Sequence, residues 1–495
     1  MKVVPSATIQ SWEQDTLAAG IKVSALMEQA VLGCFRFIRE KFPRPGAAIF
    51  LCGKGNNGND GLWLAGLMAE HGWNVEVLLT GPPTERKWID SVEINSALAH
   101  AQTWPQFHSH HLNDRVPTLV FDCLLGVGAN GEPSGKTREV LDWWQTQRKP
   151  WHVTVSIDTP SGLDASTGAA TACAFQADIT LAIGAVKQGC LQGDGANIAG
   201  RIVPVPLTIY QDDADNFADF FDLPMARELA RVLPPTAHKY QRGELAVFAG
   251  SPGLLGAAVL CSRAALRAGA GVVHLFCHPD CYSQLALGTP EVMVTPWNGD
   301  IIPAKAASAD AWIIGPGFGT DQAAERKFSL LLRSASHPLL LDADALFLLN
   351  NQSQLISTRK TPITLTPHEG EFQQLRGSPL ADRQASSATW IKKHPNTILV
   401  LKGANTLVTE YHHAPSYNGS GNPGLATAGA GDVLSGVIGA LLAQRMAPFD
   451  AARLGVYWHG LAADSALCAQ AEQTLMAGDL IHHLGGAWQK IRPLL

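Results

Sequence analysis

The sequence lacks a basic block. Lys and Arg number 37 against 43 Asp and Glu, a formal net charge of −6, and charged residues are only 16% of the chain. Neither nucleic acid nor an anionic membrane is therefore an expected partner, and any phosphate ligand must be held by backbone amides. The sequence also lacks a long apolar run. No stretch approaches the ~18 residues a membrane helix needs, and Lys2 is not followed by the apolar core of a secretory signal, so a soluble, cytoplasmic protein is expected. The nine cysteines show no zinc-ribbon or disulfide spacing, which fits a reducing compartment. Cys277, His278 and Cys281 come nearest to a metal cluster, but no second pair follows and packing is the simpler reading. The motif G-x-x-x-x-G-K-[ST] is missing, which excludes a Walker-type kinase. No internal repeat is evident.

What is present is core material. Hydrophobic residues make up 46% of 495, a globular balance in a chain too long for one core. Two domains are expected, 1–224 and 225–495, divided where acidic and aromatic DDADNFADFFDL gives way to the helix-stopping LPP of Leu233–Pro235. In the first, helical spacing over Ser11–Gly20 and Ser24–Glu40 begins each time at a serine able to cap it. Apolar strands follow at 47–52, 75–79, 118–122, 152–157, 179–183 and 202–205, with helices expected over 61–71 and 85–101. Such alternation predicts an α/β domain with a parallel sheet covered on both faces. Three polar loops fall at carboxyl ends of strands, where open α/β sheets bind ligands. They carry Asn56, Asn57, Gly58, Asn59 and Asp60; then Asp122 with Gly126, Val127, Gly128, Ala129, Asn130, Gly131 and Glu132; then Asp158 and Ser161. Oxygen donors on Asn57, Asp122 and Ser161 could hold a hard cation, and their low total charge suits a monovalent ion at least as well as magnesium.

The second half repeats the plan, with strands at 244–249, 272–277, 311–314, 339–341, 363–365 and 397–401, each running into a glycine-rich or polar loop. Its centre is Gly419–Gly436, GSGNPGLATAGAGDVLSG. Gly429, Ala430 and Gly431 have little or no side chain, so their amides can close on phosphate oxygens at the N-terminus of the apolar helix that follows. Asp432 is out of place beside bound phosphate unless it takes a proton from a hydroxyl attacking that phosphate. The plainer alternative is a helix cap.

The first-half motifs LMEQA, CGKGNNGNDG, FDCLLGVGANG and IDTPSGLDASTG resemble the epimerase domain of bifunctional NAD(P)H-hydrate repair enzymes. That resemblance implies a Rossmann-like doubly wound domain in which Asn57, Asp122 and Ser161 bind potassium. Asn56 to Asp60, Gly126 to Glu132 and Asp158 would surround the hydrated nicotinamide nucleotide, NADHX or NADPHX. In the second half HKYQRG, GSPGLLGA, GPGFG, LDADAL, TPHEGE, LKGANT and GNPGLATAGAGDVLSG resemble the ribokinase-like superfamily, and within it the ADP-dependent NAD(P)H-hydrate dehydratases. By that resemblance Lys402, Gly403, Ala404, Asn405, Thr406, Gly429 and Gly431 hold ADP with Mg2+, and Ala257, Gly317, His368 and Asp432 face the hydrate. Ala430 stands where the family commonly has threonine, and Asn59 where it usually has glycine. A homo-oligomer is expected.

The implied activities fit together. The C6 hydroxyl of the hydrate is a poor leaving group, and phosphate transferred from ADP makes it a better one, with Asp432 accepting the hydroxyl proton. Because both epimers form at C6, a dehydratase selective for one needs an epimerase, for which Asp60 and Asp158 are the candidate acid/base groups and remain undivided. The alternatives are a ribokinase-like small-molecule kinase acting on a vitamin-type alcohol, and a nucleotide-binding module without turnover.

Overall fold

The computed structural model describes residues 1–492 other than 86–91, 113–116, 130, 351, 353, 358 and 381. The chain forms two compact units, Met1–Ala218 and Asp219–Leu495. They divide ahead of residue 225 because Asp219, Phe220 and Phe221 of the acidic, aromatic stretch already pair with Ser416–Asn418 of the second unit. Among the described residues no helix is long and apolar enough to cross a membrane.

The sheet of the first unit runs, edge to edge, Ala101–Thr103, Asn74–Leu79, Ala47–Cys52, Thr118–Cys123, His152–Ile157, Ile179–Ile183 and Arg201–Val205. Every pairing is parallel. The chain therefore starts in the middle, fills one side, and crosses back to fill the other, which makes a doubly wound fold with its switch point between Ala47–Cys52 and Thr118–Cys123. Both faces are apolar because the strands alternate between two buried sets. Phe50 and Phe121 stack at 4.3 Å on one face, while Ile49, Leu51 and Val120 meet Trp144 and Phe175 on the other. A separate strand, Lys2–Val4, which the sequence pattern did not suggest, pairs in parallel with Val186–Lys187.

Local details depart from expectation. The first two helices are Ser6–Ala18 and Val23–Lys41, preceded by Pro5 and Lys22, and neither has a side-chain cap. Proline's fixed φ starts the first without one. Residues Asn56 to Asp60 are not loop but the first turn of helix Asn56–Glu70, entered through extended Gly55. Between 85 and 101 the described residues hold only the short helix Val92–Leu98, and Ala101 opens an edge strand.

In the second unit the parallel strands lie in the order Met293–Pro296, Val272–Cys277, Glu244–Phe248, Ala311–Ile314, Leu339–Leu341, Ile363–Leu365 and Thr397–Leu401. Antiparallel Leu407–Thr409 and Ser416–Asn418 extend the sheet. Cys277 and Cys281 are buried in its core, and His278 Nδ1 accepts from Asp280 N. Helices Leu255–Arg267 and Ala430–Ala443 cross so closely that a Cβ on Gly436 would lie 2.2 Å from Cys261 O. The helix beginning beside Asp432 is thus fixed by backbone contact. Gly436→Ala is expected to destabilise the second unit by about 1–3 kcal/mol through overpacking, read as a lower midpoint of its unfolding transition in denaturant.

Candidate active sites

In the first unit the carboxyl ends of the strands open into a cavity of about 1090 Å³, lined by Asn56, Asn57, Asp60, Gly126 to Ala129 and Asp158 among others. It sits at the switch point, where the topology places ligands. Asp122 and Ser161 are fully buried and do not line it. Parallel register puts Asp122 opposite Ser156, and its Oδ1 accepts from Ser161 Oγ at 2.6 Å and Leu124 N at 3.2 Å, its Oδ2 from Ser161 N at 2.7 Å and Ser156 Oγ at 3.1 Å. Burial pushes the Asp122 carboxyl up while these bonds pull it down, and burial prevails. Asn57 donates through Nδ2 to Leu125 O at 2.6 Å and Ile157 O at 3.1 Å, which leaves its buried Oδ1 without a partner.

Glu13, Asp60 and Asp158 form an acid cluster on the cavity wall. Asp158 follows strand His152–Ile157 with φ 71°, a left-handed conformation costly for a residue with a Cβ. What holds it there is a pair of contacts: Oδ1 binds Lys187 Nζ, and Oδ2 accepts from Val127 N at 3.3 Å. The Lys187 side chain is 1% exposed and also donates to Ile183 O at 2.7 Å. Asp60 is half-buried with its enclosed Oδ1 unpartnered, and its carboxyl is pushed well above the carboxylate range by desolvation, then by Asp158 and Glu13. Glu13, on helix Ser6–Ala18, lines the same cavity and is also raised, by burial and then Asp158, against the pull of Lys187. Neither Glu13 nor Lys187 was singled out from the sequence, where one reads as an ordinary helix residue and the other as a strand end.

Not every expected residue reaches the cavity wall. A Cβ on Gly58 would lie 2.0 Å from Gly53 O, so this glycine serves helix packing. Glu132 is exposed and pairs with Arg138 at 2.9 Å. Asn59 is buried and Gly131 exposed, away from the lining. Asn130 lies outside the described residues.

In the second unit Asp432 is the third residue of helix Ala430–Ala443, whose N-cap Gly429 has φ 88°. A side chain there is excluded sterically as well, since a Cβ would meet Leu260 Cδ1 at 2.5 Å. Asp342, at the end of strand Leu339–Leu341, is 1% exposed. Its Oδ1 accepts from Lys402 Nζ at 2.9 Å and its Oδ2 from Ser435 Oγ at 2.6 Å. A Cβ on Gly431 would come 3.5 Å from Lys402 Nζ and 3.9 Å from Asp342 Oδ2, so the glycine leaves open the space over this pair. Lys402 lies 3.9 Å from Glu371 Oε2 as well. Burial opposes its charge, yet Asp342 and Glu371 outweigh burial and raise its pKa. Asp432 is pushed up to about 7, chiefly by burial, then by Asp342, with Lys402 opposing and Asp344 adding to the rise.

The other expected residues lie on separate turns and loops of the unit. His368 caps helix Glu369–Arg376: its Nδ1 accepts from Glu371 N at 3.2 Å and its N donates to Glu371 Oε2 at 2.8 Å. Gly317 O accepts from Gly250 N and Ser251 N, which ties the GPGFG turn to the segment leading to Ala257. Residues 402–406 connect Thr397–Leu401 to Leu407–Thr409, and Thr406 Oγ1 donates to Gly403 O at 3.0 Å. Asp342, Ser435 and Glu371 were not singled out beforehand, although the LDADAL, GNPGLATAGAGDVLSG and TPHEGE motifs contain them. His459, buried on helix Pro448–Ala466 against the Ala430 backbone, is held down at about 4 by burial and stays neutral.

An acid-lined cavity at the switch point of one doubly wound sheet and a glycine-capped carboxyl at the sheet edge of another define a two-domain α/β enzyme. A family model described as "YjeF-related protein N-terminus" matches residues 23–189, and one described as "NAD(P)H-hydrate dehydratase" matches 245–485. The bifunctional NAD(P)H-hydrate repair enzyme of Moorella thermoacetica is 33% identical, the alignment covering 93% of this chain and 91% of that protein. The Escherichia coli enzyme of the same name is 31% identical, covering 94% and 89%. A ribokinase-like superfamily protein from Enterococcus faecalis superposes with a TM-score of 0.51 at 24% identity, over 55% of this chain and 96% of that one, and shows the fold of the second unit. The chain belongs to the family of bifunctional NAD(P)H-hydrate repair enzymes.

If Asp342 shares in raising the Asp432 carboxyl, Asp342→Asn will lower its titration midpoint from about 7 toward the ordinary carboxylate range. Isotope-edited infrared titration of the labelled carboxyl checks this, and an unchanged midpoint would leave burial and Asp344 as the causes.

Proposed function

We propose that the chain repairs hydrated nicotinamide cofactors in two steps: the first unit interconverts the epimers of NADHX and NADPHX, and the second dehydrates the S form to NADH or NADPH at the expense of ADP. Family membership supports repair over the vitamin-type kinase alternative. The observation that carries the dehydratase chemistry is Asp432, a carboxyl near 7 at the glycine-capped end of a helix beside Lys402 and Asp342. A group poised there can accept a proton at neutral pH.

Asp432 takes the proton of the C6 hydroxyl as its oxygen attacks the terminal phosphorus of ADP, and AMP departs. Amides of Gly429 and Gly431 and the helix dipole stabilise charge on the transferring group, the Ala430 amide between them donating to Thr427 O at 3.3 Å. The C6–O bond then breaks with the electron pair leaving on phosphate, the ring nitrogen assists, and loss of the C5 proton restores C5=C6. Lys402 to Thr406 hold the nucleotide, and Ala257, Gly317 and His368 face the hydrate. Among the described residues no group of three or more His, Cys, Asp or Glu is placed to hold a metal; a Mg2+ ion carried by the nucleotide's phosphates would neutralise their charge.

In the first unit Asp60, favoured neutral, and Asp158, held beside Lys187, supply an acid and a base on one cavity. A potassium ion would be held by Asn57 through its open Oδ1, with Asp122 and Ser161, hydrogen-bonded to each other, as the further oxygen donors. A bound monovalent cation there would anchor an anionic part of the substrate.

Two experiments test the halves separately. With hydrated NADH, ADP and magnesium the reduced-nicotinamide absorbance should return; Asp432→Ala should cut the rate by about 10²–10⁴-fold, and the wild-type rate should fall as pH drops through about 7, because the base becomes protonated. No recovery with wild type, or full recovery with Asp432→Ala, overturns the dehydratase reading. Epimer exchange followed by chromatography should slow by a similar factor in Asp60→Asn and Asp158→Asn. Normal exchange in both removes the acid–base assignment.

A further inference from the structure

The loop 402–406 rests on a buried cation that lies outside the sites described so far. Arg383 opens helix Arg383–Lys393, and its side chain is only 15% exposed. Its Nη1 donates to Ala404 O at 2.7 Å and its Nη2 to Leu401 O at 3.0 Å. Its Nε lies 3.3 Å from Glu369 Oε1. Burial lowers its pKa, but a guanidinium stays charged across the physiological range. Gly403 adopts φ 151° directly over it, and a Cβ there would lie 3.1 Å from Nη2.

The consequence for the loop follows from peptide geometry. In a trans peptide the C=O and the next N–H point in opposite directions. With Ala404 O turned down onto Arg383, the Asn405 N–H is turned to the other side, and it has no hydrogen-bond partner among the described residues. Asn405 itself sits at φ 50°, a left-handed conformation that the loop must maintain. The companion donor, Lys402 N–H, is already spent on Pro367 O at 2.8 Å. A planar, two-pronged cation is what this loop requires: two carbonyls a few residues apart are bound at once, which an ammonium cannot match.

We propose that Arg383 is a positioning residue for the nucleotide. It holds the carbonyl side of loop 402–406 so that Asn405 N–H is presented, without rearrangement, to an acceptor on the nucleoside diphosphate. Glu369 keeps the guanidinium in place. The inference rests on the reading that this loop holds ADP.

The test is steady-state dehydratase kinetics on the full chain with ADP and hydrate varied independently, comparing wild type, Arg383→Ala, Arg383→Lys and Glu369→Gln. Arg383→Ala raises KM for ADP about tenfold or more, while kcat and KM for the hydrate change by less than about twofold. Arg383→Lys recovers part of the loss, and Glu369→Gln shows a smaller change in the same sense. An unaltered KM for ADP in the folded variants, or equal increases in KM for both substrates, overturns the proposal. If Arg383→Ala fails to fold, Arg383→Lys and Glu369→Gln decide on the same criteria. Amide exchange on wild type separates the two layers: ADP that leaves 402–406 unprotected defeats the loop reading. Protection of Asn405 together with undiminished ADP affinity in the Arg383 variants defeats the Arg383 proposal alone.

Discussion

Both units depend on the same electrostatic constraint: one lysine, buried Lys187 or half-buried Lys402, faces more carboxylates than it can neutralise. In the second unit Lys402 feels Asp342, Glu371 and Asp432. In the first, Lys187 binds Asp158 while Asp60 and Glu13 crowd the same space. Unpaired negative charge is costly in a low-dielectric interior, so the surplus carboxyl groups are driven toward their neutral forms. The result is an Asp432 carboxyl pushed up to about 7 and an Asp60 carboxyl pushed well above the carboxylate range. That is the condition for acid–base work, and it needs no residue type beyond lysine and carboxylate.

The backbone makes this arrangement affordable. Asp158 is kept left-handed by Lys187 and Val127, and Lys187 is in turn held by the pairing of Val186–Lys187 with Lys2–Val4. Asp432 is aimed by Gly429 at φ 88° and by the close crossing at Gly436. Asp342 is clamped between Lys402 and Ser435, with Ser435 one helical turn beyond Asp432. Strain and desolvation at the chemistry are therefore supported by neighbouring sheet ends and helix crossings, the parts of an α/β unit that move least.

Much of this was legible in the sequence, for definite reasons. Fully buried parallel strands are short all-apolar runs, so Leu339–Leu341, Ile363–Leu365 and Thr397–Leu401 could be read to the residue. Asp432 was legible because a carboxylate among phosphate-sized glycines contradicts its surroundings. What escaped were partners joined only by topology. Asp342 and Lys402 come from different strands, and Ser435 reads as one more small helix residue. Glu13 and Lys187 escaped for the same reason. Asn56 to Asp60 were misread because Asn and Gly are turn residues by composition, yet extended Gly55 lets the helix begin at Asn56.

The central claim is that the second unit turns a hydroxyl into a phosphate leaving group before eliminating it. The most direct test labels the C6 hydroxyl of the hydrate with 18O, lets the enzyme turn over with ADP, and locates the label by mass spectrometry. If Asp432 deprotonates that hydroxyl for attack on phosphorus, the label appears in inorganic phosphate and the water pool stays unlabelled. Label released into water, with unlabelled phosphate, would mean that hydroxide or water leaves directly and would contradict the account.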